Sequence, residues 1–392
     1  MEMQTLTNRR ENLLTGKSEY EIAVYYFPNY HIDERNKMTH GEGWTEWEIV
    51  KHAHPRFPGH QQPKIPLWGY EDESDPLVME KKISAASSHG ISSFIFDWYW
   101  YEDGPFLQRA LEEGFLKAEN NDQLKFALMW ANHDWVDIHP APRNRHYHEL
   151  YNGAVSESAF IEATNHMIEN YFNHPSYWRV KEGLYFSIYE LMNLIKGLGG
   201  VTDTKRVLKD FRARVRKAGL GDLHLNAVVW GAEIIPNEQK VENVNELLGQ
   251  LGFDSITSYV WIHHNELDEF PATSYARFRE CATENYLEFT HKYDLPYFPN
   301  VTMGWDSSPR TIQSDVYQNL GYPYMPILSG NTPEEFTISL KEVKGFLDKG
   351  LTNPKIFTIN AWNEWTEGSY LEPDTVHGMG YLEAIREVFG EG

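Results

Sequence analysis

Short apolar runs rich in Val, Ile, Phe and Tyr alternate with longer stretches of helical period from one end of the chain to the other. That alternation predicts repeated βα units around a parallel sheet. Eight runs have the length of strands: Ile22–Phe27, Ile91–Phe96, Leu124–Met129, Leu184–Tyr189, Leu223–Val229, Phe253–Tyr259, Tyr297–Met303 and Ile356–Ala361. Helices are predicted near 76–89, 105–118, 157–171, 203–218, 238–249, 273–292, 333–349 and 378–388. Asp75-Pro76 and Thr332-Pro333 read as helix starts, a capping side chain followed by a proline whose missing N–H is harmless in the first turn. Eight strands in strict alternation with eight helices predict an α/β fold of the (β/α)8 TIM-barrel class.

Two connections are too long to be plain turns. The loop after the first strand, about Pro28 to Ser74, carries Gly41-Glu42-Gly43-Trp44-Thr45-Glu46-Trp47, and the loop after the third, Trp130 to Ser156, carries Asn132, His133, Asp134, Trp135, His139, His146 and His148. Both follow a strand, so in a barrel both belong to the face where catalytic residues gather. No repeat, low-complexity tract or linker divides the sequence. It reads as an N-terminal extension, 1–20, and a single (β/α)8 catalytic domain, 21–392; the 392 residues exceed a usual domain, but such barrels often do.

Composition sharpens this picture. Aromatic residues make up 14% of the chain against a mean hydropathy of -0.56, so many rings sit in a polar sequence. The net charge of -22 repels phosphate backbones, which argues against nucleic acid. No apolar run reaches the length of a membrane span, so no membrane insertion is expected. Cys281 is the only cysteine, which excludes an intrachain disulfide and a cysteine zinc cage. The first twenty residues have no apolar signal core; the chain as given reads as cytoplasmic, and as periplasmic or secreted if a leader has been removed.

In a barrel, chemistry is sought just beyond the carboxyl ends of the strands. Those positions hold Tyr26 after the first; Asp97, Trp98 and Trp100 after the second; Trp130, Asn132 and His133 after the third; Trp230, His263 and Trp305 further on; and Asn360, Trp362 and Asn363 after the last, with Trp44 and Trp47 in the first long loop. Flat rings beside amides and carboxylates suit a sugar, whose C–H faces stack on aromatics while its hydroxyls need donors and acceptors. These residues are therefore the expected substrate-binding set. Beyond the eighth strand, Glu364 and Glu367 are spaced to project to one side of a helical turn. Glycoside cleavage needs such a pair, one carboxyl to protonate the leaving oxygen and one to act as base or nucleophile.

The segment Asn363-Glu364-Trp365-Thr366-Glu367-Gly368 resembles the terminal catalytic motif of glycoside hydrolase family 99, the endo-α-mannosidases and endo-α-mannanases. Together with Tyr25-Tyr26-Phe27-Pro28, Gly43-Trp44-Thr45-Glu46-Trp47 and Phe96-Asp97-Trp98-Tyr99-Trp100, it resembles the family-99-like group labelled WbsX, found with polysaccharide loci and often called a glycosyltransferase. The resemblance spans about Glu21 to Val388. It implies a barrel and retaining, endo-acting cleavage without metal or cofactor. It also implies a route in which Glu364 deprotonates the sugar's 2-hydroxyl to form a 1,2-anhydro sugar, while Glu367 protonates the leaving group and then activates water. An α-manno-configured sugar satisfies that chemistry, and α-L-rhamnose has the same relative configuration. The family has His between its acids where this chain has Thr366.

The function expected is thus hydrolysis of an α-linked manno- or rhamno-configured polysaccharide. A nucleotide-sugar glycosyltransferase of polysaccharide biosynthesis is the alternative, although the chain has no Asp-x-Asp and no phosphate-cradling Gly-x-Gly-x-x-Gly. A non-catalytic carbohydrate-binding barrel is the second. His52-x-His54, His146-x-His148 and His263-His264 lack the ligand pattern of a zinc or calcium site, so no metal is expected.

Overall fold

The structure, a computed structural model, describes residues 19–144 and 147–390. Nearly all of the expected extension, and His146, lie outside the described residues. Eight parallel strands form the barrel: β1 (Glu21–Tyr26), β2 (Ser93–Tyr101), β3 (Lys125–Trp130), β4 (Gly183–Ile188), β5 (Leu223–Val228), β6 (Ser255–Thr257), β7 (in two pieces, Tyr297–Phe298 and Asn300–Thr302) and β8 (Ile356–Asn360). Each pairs with its neighbour in sequence, and β1 pairs with β8. The split in β7 falls at Pro299, which has no N–H to give to the ladder. The first piece pairs with β6 (Ile256 opposite Tyr297) and the second with β8 (Asn300 opposite Thr358), which closes the barrel. Asn300 is buried there, its amide donating to Thr358 Oγ1 at 3.0 Å.

The strand positions agree with the apolar runs, but β2 is longer than expected. It continues through Asp97, Trp98, Tyr99 and Trp100 to Tyr101, all buried, because aromatic side chains on both faces of the strand find cover. Alternation puts Asp97 and Tyr99 toward the cavity at the barrel mouth and Trp98 and Trp100 on the opposite face. There the two indoles stack at 5.4 Å and meet Tyr171 and His166 from the helix Glu157–Asn170 and its end.

The helix starts at 76 and 333 are capped as read: Asp75 accepts from the N–H of Leu77 and Thr332 from that of Glu335, each with proline at the first turn. The helix expected near 105–118 is replaced by a short strand, Gly104–Phe106, which pairs back onto β2, followed by a π-turn, Ala110–Gly114, and a 3-10 turn, Phe115–Lys117. The long first loop holds two short helices, Glu34–His40 and Trp47–His52, and the loop after β3 holds a small antiparallel pair, Trp135–Val136 with Glu149–Tyr151. Among the described residues no helix is long and apolar enough to cross a membrane.

Candidate active site

The segment after β8 forms a tight antiparallel hairpin, Asn363–Glu364 against Ser369–Tyr370, with Trp365–Glu367 as a single 3-10 turn between them. A 3-10 turn brings residues three apart nearly into line, so the turn aims Glu364 and Glu367 at the same space. Gly368 closes the hairpin with φ +62°, and a Cβ there would come within 2.6 Å of Asp306 Cβ; only glycine fits. Behind the hairpin, Glu372 accepts the indole N–H of Trp362 at 3.0 Å and of Trp365 at 2.7 Å. The ammonium of Lys82, from the helix Pro76–Ser88, lies 2.7 Å from Glu372 and 3.5 Å from Glu73. Glu73 takes hydrogen bonds from Tyr26 Oη, the Tyr30 N–H and the Asn363 amide. Burial raises the Glu73 carboxyl to about 7 even with Lys82 opposing it.

In front of the hairpin is a cleft at the barrel mouth. Glu364 and Glu367 line it, together with Asp97, Tyr99, His133, Trp135, Tyr259, His263, Trp305, Arg310 and Tyr322. Arg310 organises the floor. Its Nη1 donates to Glu367 Oε1 at 2.5 Å, its Nε and Nη2 donate to Glu46 Oε1 at 3.1 and 2.9 Å, and Nη2 lies 3.8 Å from Glu364 Oε1. Tyr322 Oη donates to the same Glu367 oxygen at 2.6 Å. On the other side, Tyr259 Oη is 2.9 Å from Glu364 Oε2 and 2.9 Å from Asp97 Oδ2.

Electrostatics separates these carboxyls. Burial raises Glu364 well above the usual glutamate range and the charge of Glu367 adds to it, with Arg310 opposing. Burial likewise raises Asp97, against a hydrogen bond from Tyr259. Burial would also raise Glu46, but Arg310, His139 and the hydrogen bond from Thr366 together more than offset it and the carboxyl is held below its ordinary value. His139 and His263, both beside the cleft, are pushed down to about 3 by burial and so are neutral. Several buried polar atoms have no partner in the described structure, among them Asp97 Oδ1, His139 Nδ1, His263 Nδ1 and Trp305 Nε1. Each belongs to a residue of the cleft, and such atoms are what sugar hydroxyls would satisfy.

The expected site residues divide into two groups. Asp97, His133, His263, Trp305, Glu364 and Glu367 meet in the cleft, and Asn360 reaches Glu364 at 3.5 Å. Trp230 lies behind this set, its ring against Tyr189 and His263, and Trp44 stacks on His40 at the edge of the first loop. Neither these two nor the remainder line the cleft. Trp98, Trp100 and Trp130 pack on the helix side of the barrel, and Trp47 packs on Tyr30 and donates to the Glu71 carbonyl. Tyr26 and Trp362 belong to the buried Glu73–Lys82–Glu372 cluster. Asn132 and Asn363 use their amides to clamp the backbones of Glu190 and Phe27.

Sequence reasoning missed Arg310, Tyr259, Tyr322 and Glu46 as site residues. Tyr259 ends a predicted strand and Glu46 lies in the Trp-Thr-Glu-Trp motif, so the rule applied to the other strand ends could have found both. Nothing local marks Arg310. Among the described residues no group of three or more His, Cys, Asp or Glu side chains is placed to hold a metal ion; His264 is bonded to Ser258.

The chain matches the family described as Glycosyltransferase WbsX over residues 22–385. It is 26% identical over 377 residues to the protein WxcX of Xanthomonas campestris pv. campestris, described as uncharacterized, covering 93% of this chain and 49% of that protein. The chain thus spans about half the length of the curated relatives it matches. Among solved structures, a glycoside hydrolase-like protein superposes with a TM-score of 0.61 at 15% identity, covering 96% of this chain and 95% of the other. A GH99 endo-alpha-mannosidase from Bacteroides thetaiotaomicron superposes with a TM-score of 0.54 at 14% identity, covering 94% and 96%. Similarity at this level is similarity of fold.

Proposed function

From a chain that belongs to the WbsX family and folds like the GH99 barrels, we propose a glycoside hydrolase that cleaves an α-linked manno- or rhamno-configured polysaccharide internally and with retention. The observation that carries this reading is the meeting of Glu364 and Glu367 on one wall of a cleft, tied together by Arg310. Glu364 takes the proton of the 2-hydroxyl as O2 bonds to C1 and the bond from C1 to the leaving oxygen breaks. Glu367 gives its proton to that oxygen. Water then loses a proton to Glu367 and attacks C1, and O2 recovers its proton from Glu364, which returns both acids to their starting forms. A buried carboxylate of raised proton affinity is a stronger base than a solvated one, which suits Glu364. Both hydrogen bonds to Glu367 fall on Oε1, which leaves Oε2 for the leaving oxygen. Trp135 and Trp305 offer rings for stacking, and the unpartnered atoms of Asp97, His263 and Trp305 offer hydroxyl partners.

Incubation with α-mannans, α-rhamnans and bacterial O-polysaccharides, with product length and anomeric form read by NMR, tests this. Oligosaccharides of retained configuration are expected, and Glu364→Gln and Glu367→Gln should each lower kcat at least about a hundredfold. Inverted products, monosaccharides alone, or full turnover by either variant would overturn it. The family's description names a second reading, glycosyl transfer; release of free nucleotide from a nucleotide sugar in the presence of an acceptor would establish that instead.

A further inference from the structure

The Tyr259 hydroxyl stands between two carboxyl oxygens, 2.9 Å from Asp97 Oδ2 and 2.9 Å from Glu364 Oε2. A phenol has one hydrogen to give. If both carboxyls were ionised, one of these contacts would set lone pair against lone pair in a buried site, so a second hydrogen must lie on one of the acids. Their surroundings decide which. Glu364 faces Arg310 at 3.8 Å, as well as Glu367, Tyr259 and the Asn360 amide. Asp97 faces Tyr259 and Glu367, has Tyr25 and Tyr99 nearby, and has no ion-pair partner among the described residues. A buried carboxylate without a cation is the costlier of the two.

We propose that Asp97 is a neutral carboxylic acid that donates to Tyr259, that Tyr259 in turn donates to Glu364, and that this chain keeps Glu364 ionised inside a buried site. Tyr259 and Asp97 are then positioning residues: they hold one proton away from Glu364 so that it is free to receive the proton of the sugar. No proton is consumed, because the chain contains one carboxyl hydrogen and one phenol hydrogen before and after turnover. The consequence for catalysis rests on the reading of Glu364 as the base, whereas the location of the resting proton does not.

The test has two arms. Infrared difference spectra of the wild type against each variant, purified, at neutral pH and without substrate, should isolate the carbonyl stretch of one buried neutral carboxylic acid from those of other buried carboxyls such as Glu73, Glu190 and Glu238, which every variant retains. That band should vanish in Asp97→Asn, persist in Glu364→Gln and shift in Tyr259→Phe. Absence of the band in the wild type, or its loss in Glu364→Gln with retention in Asp97→Asn, overturns the proposal. In the second arm, Tyr259→Phe removes the donor that favours the ionised form of Glu364, so the acid limb of kcat/KM against pH should move up by about one pH unit. kcat should fall about tenfold with KM little changed; an unmoved acid limb counts against the relay. A glycan screen that fails while the infrared band behaves as stated would sink the hydrolase reading and leave the proton assignment standing.

Discussion

Arg310 is the residue on which the site's charges balance. It is buried, and its guanidinium bonds Glu46 on one edge and Glu367 on another while facing Glu364. Only a planar fork can reach both partners; a lysine at this position would serve one at a time. Arg310→Met should therefore cost about 3–5 kcal/mol in urea unfolding, because Glu46 would be left as an uncompensated charge in the interior. The same variant should reduce kcat about a hundredfold or more through loss of the fixed positive charge beside the two acids. A variant with wild-type stability would show that Glu46 finds another partner. The carboxylate partners of Arg310 lie 264 and 57 residues away in sequence, which is why no local pattern announced it. Glu364 and Glu367, by contrast, were legible because their relation is local, three residues along one turn.

At the scale of elements, the catalytic hairpin is held from behind by the helix Pro76–Ser88. Lys82 is buried on that helix and pairs with both Glu372 and Glu73, which in turn grip Trp362, Trp365 and Asn363. Lys82→Met should lower unfolding free energy by about 3–5 kcal/mol and reduce kcat more than it raises KM, since the hairpin is loosened but the stacking rings remain. Steady-state kinetics with denaturant titration checks both halves. The strands themselves were readable from apolar runs, because a parallel barrel buries both faces. The direction of each tryptophan was not: in β2, Asp97 and Tyr99 turn to the cleft while Trp98 and Trp100 turn to the helices, and that assignment requires knowing that the strand continues past Phe96. Of the thirteen tryptophans, only Trp135 and Trp305 line the cleft; most of the others pack the barrel to its surroundings.

For the whole molecule, buried titratable groups set a pH optimum of stability. Burial pushes His31 and His224 down to about 4 and His139, His263 and His264 down to about 3, so the unfolded chain binds their protons first as pH falls below the ordinary 6.5. Burial raises Glu73 and Glu238 to about 7 and Glu190 to about 8, so the folded chain holds their protons as pH rises above the ordinary 4.5, and stability falls up to those values. Asp97 and Glu364 are raised in the same direction, so by about pH 6 the raised carboxyls offset the five histidines. Urea midpoints should therefore peak near about pH 6, drop on the acid side as the histidines prevail and drop on the alkaline side as the raised carboxyls ionise; a maximum above about pH 7 would contradict the balance. The barrel also carries a constraint on its own diversification. Loops at a barrel mouth ordinarily vary one by one, which is how the fold acquires new chemistries. Here Glu46 in the loop after β1, Arg310 in the loop after β7 and Glu367 after β8 share a single guanidinium, so grafting any one of those loops from a distant relative strands a buried charge, and the three can be exchanged only as a set.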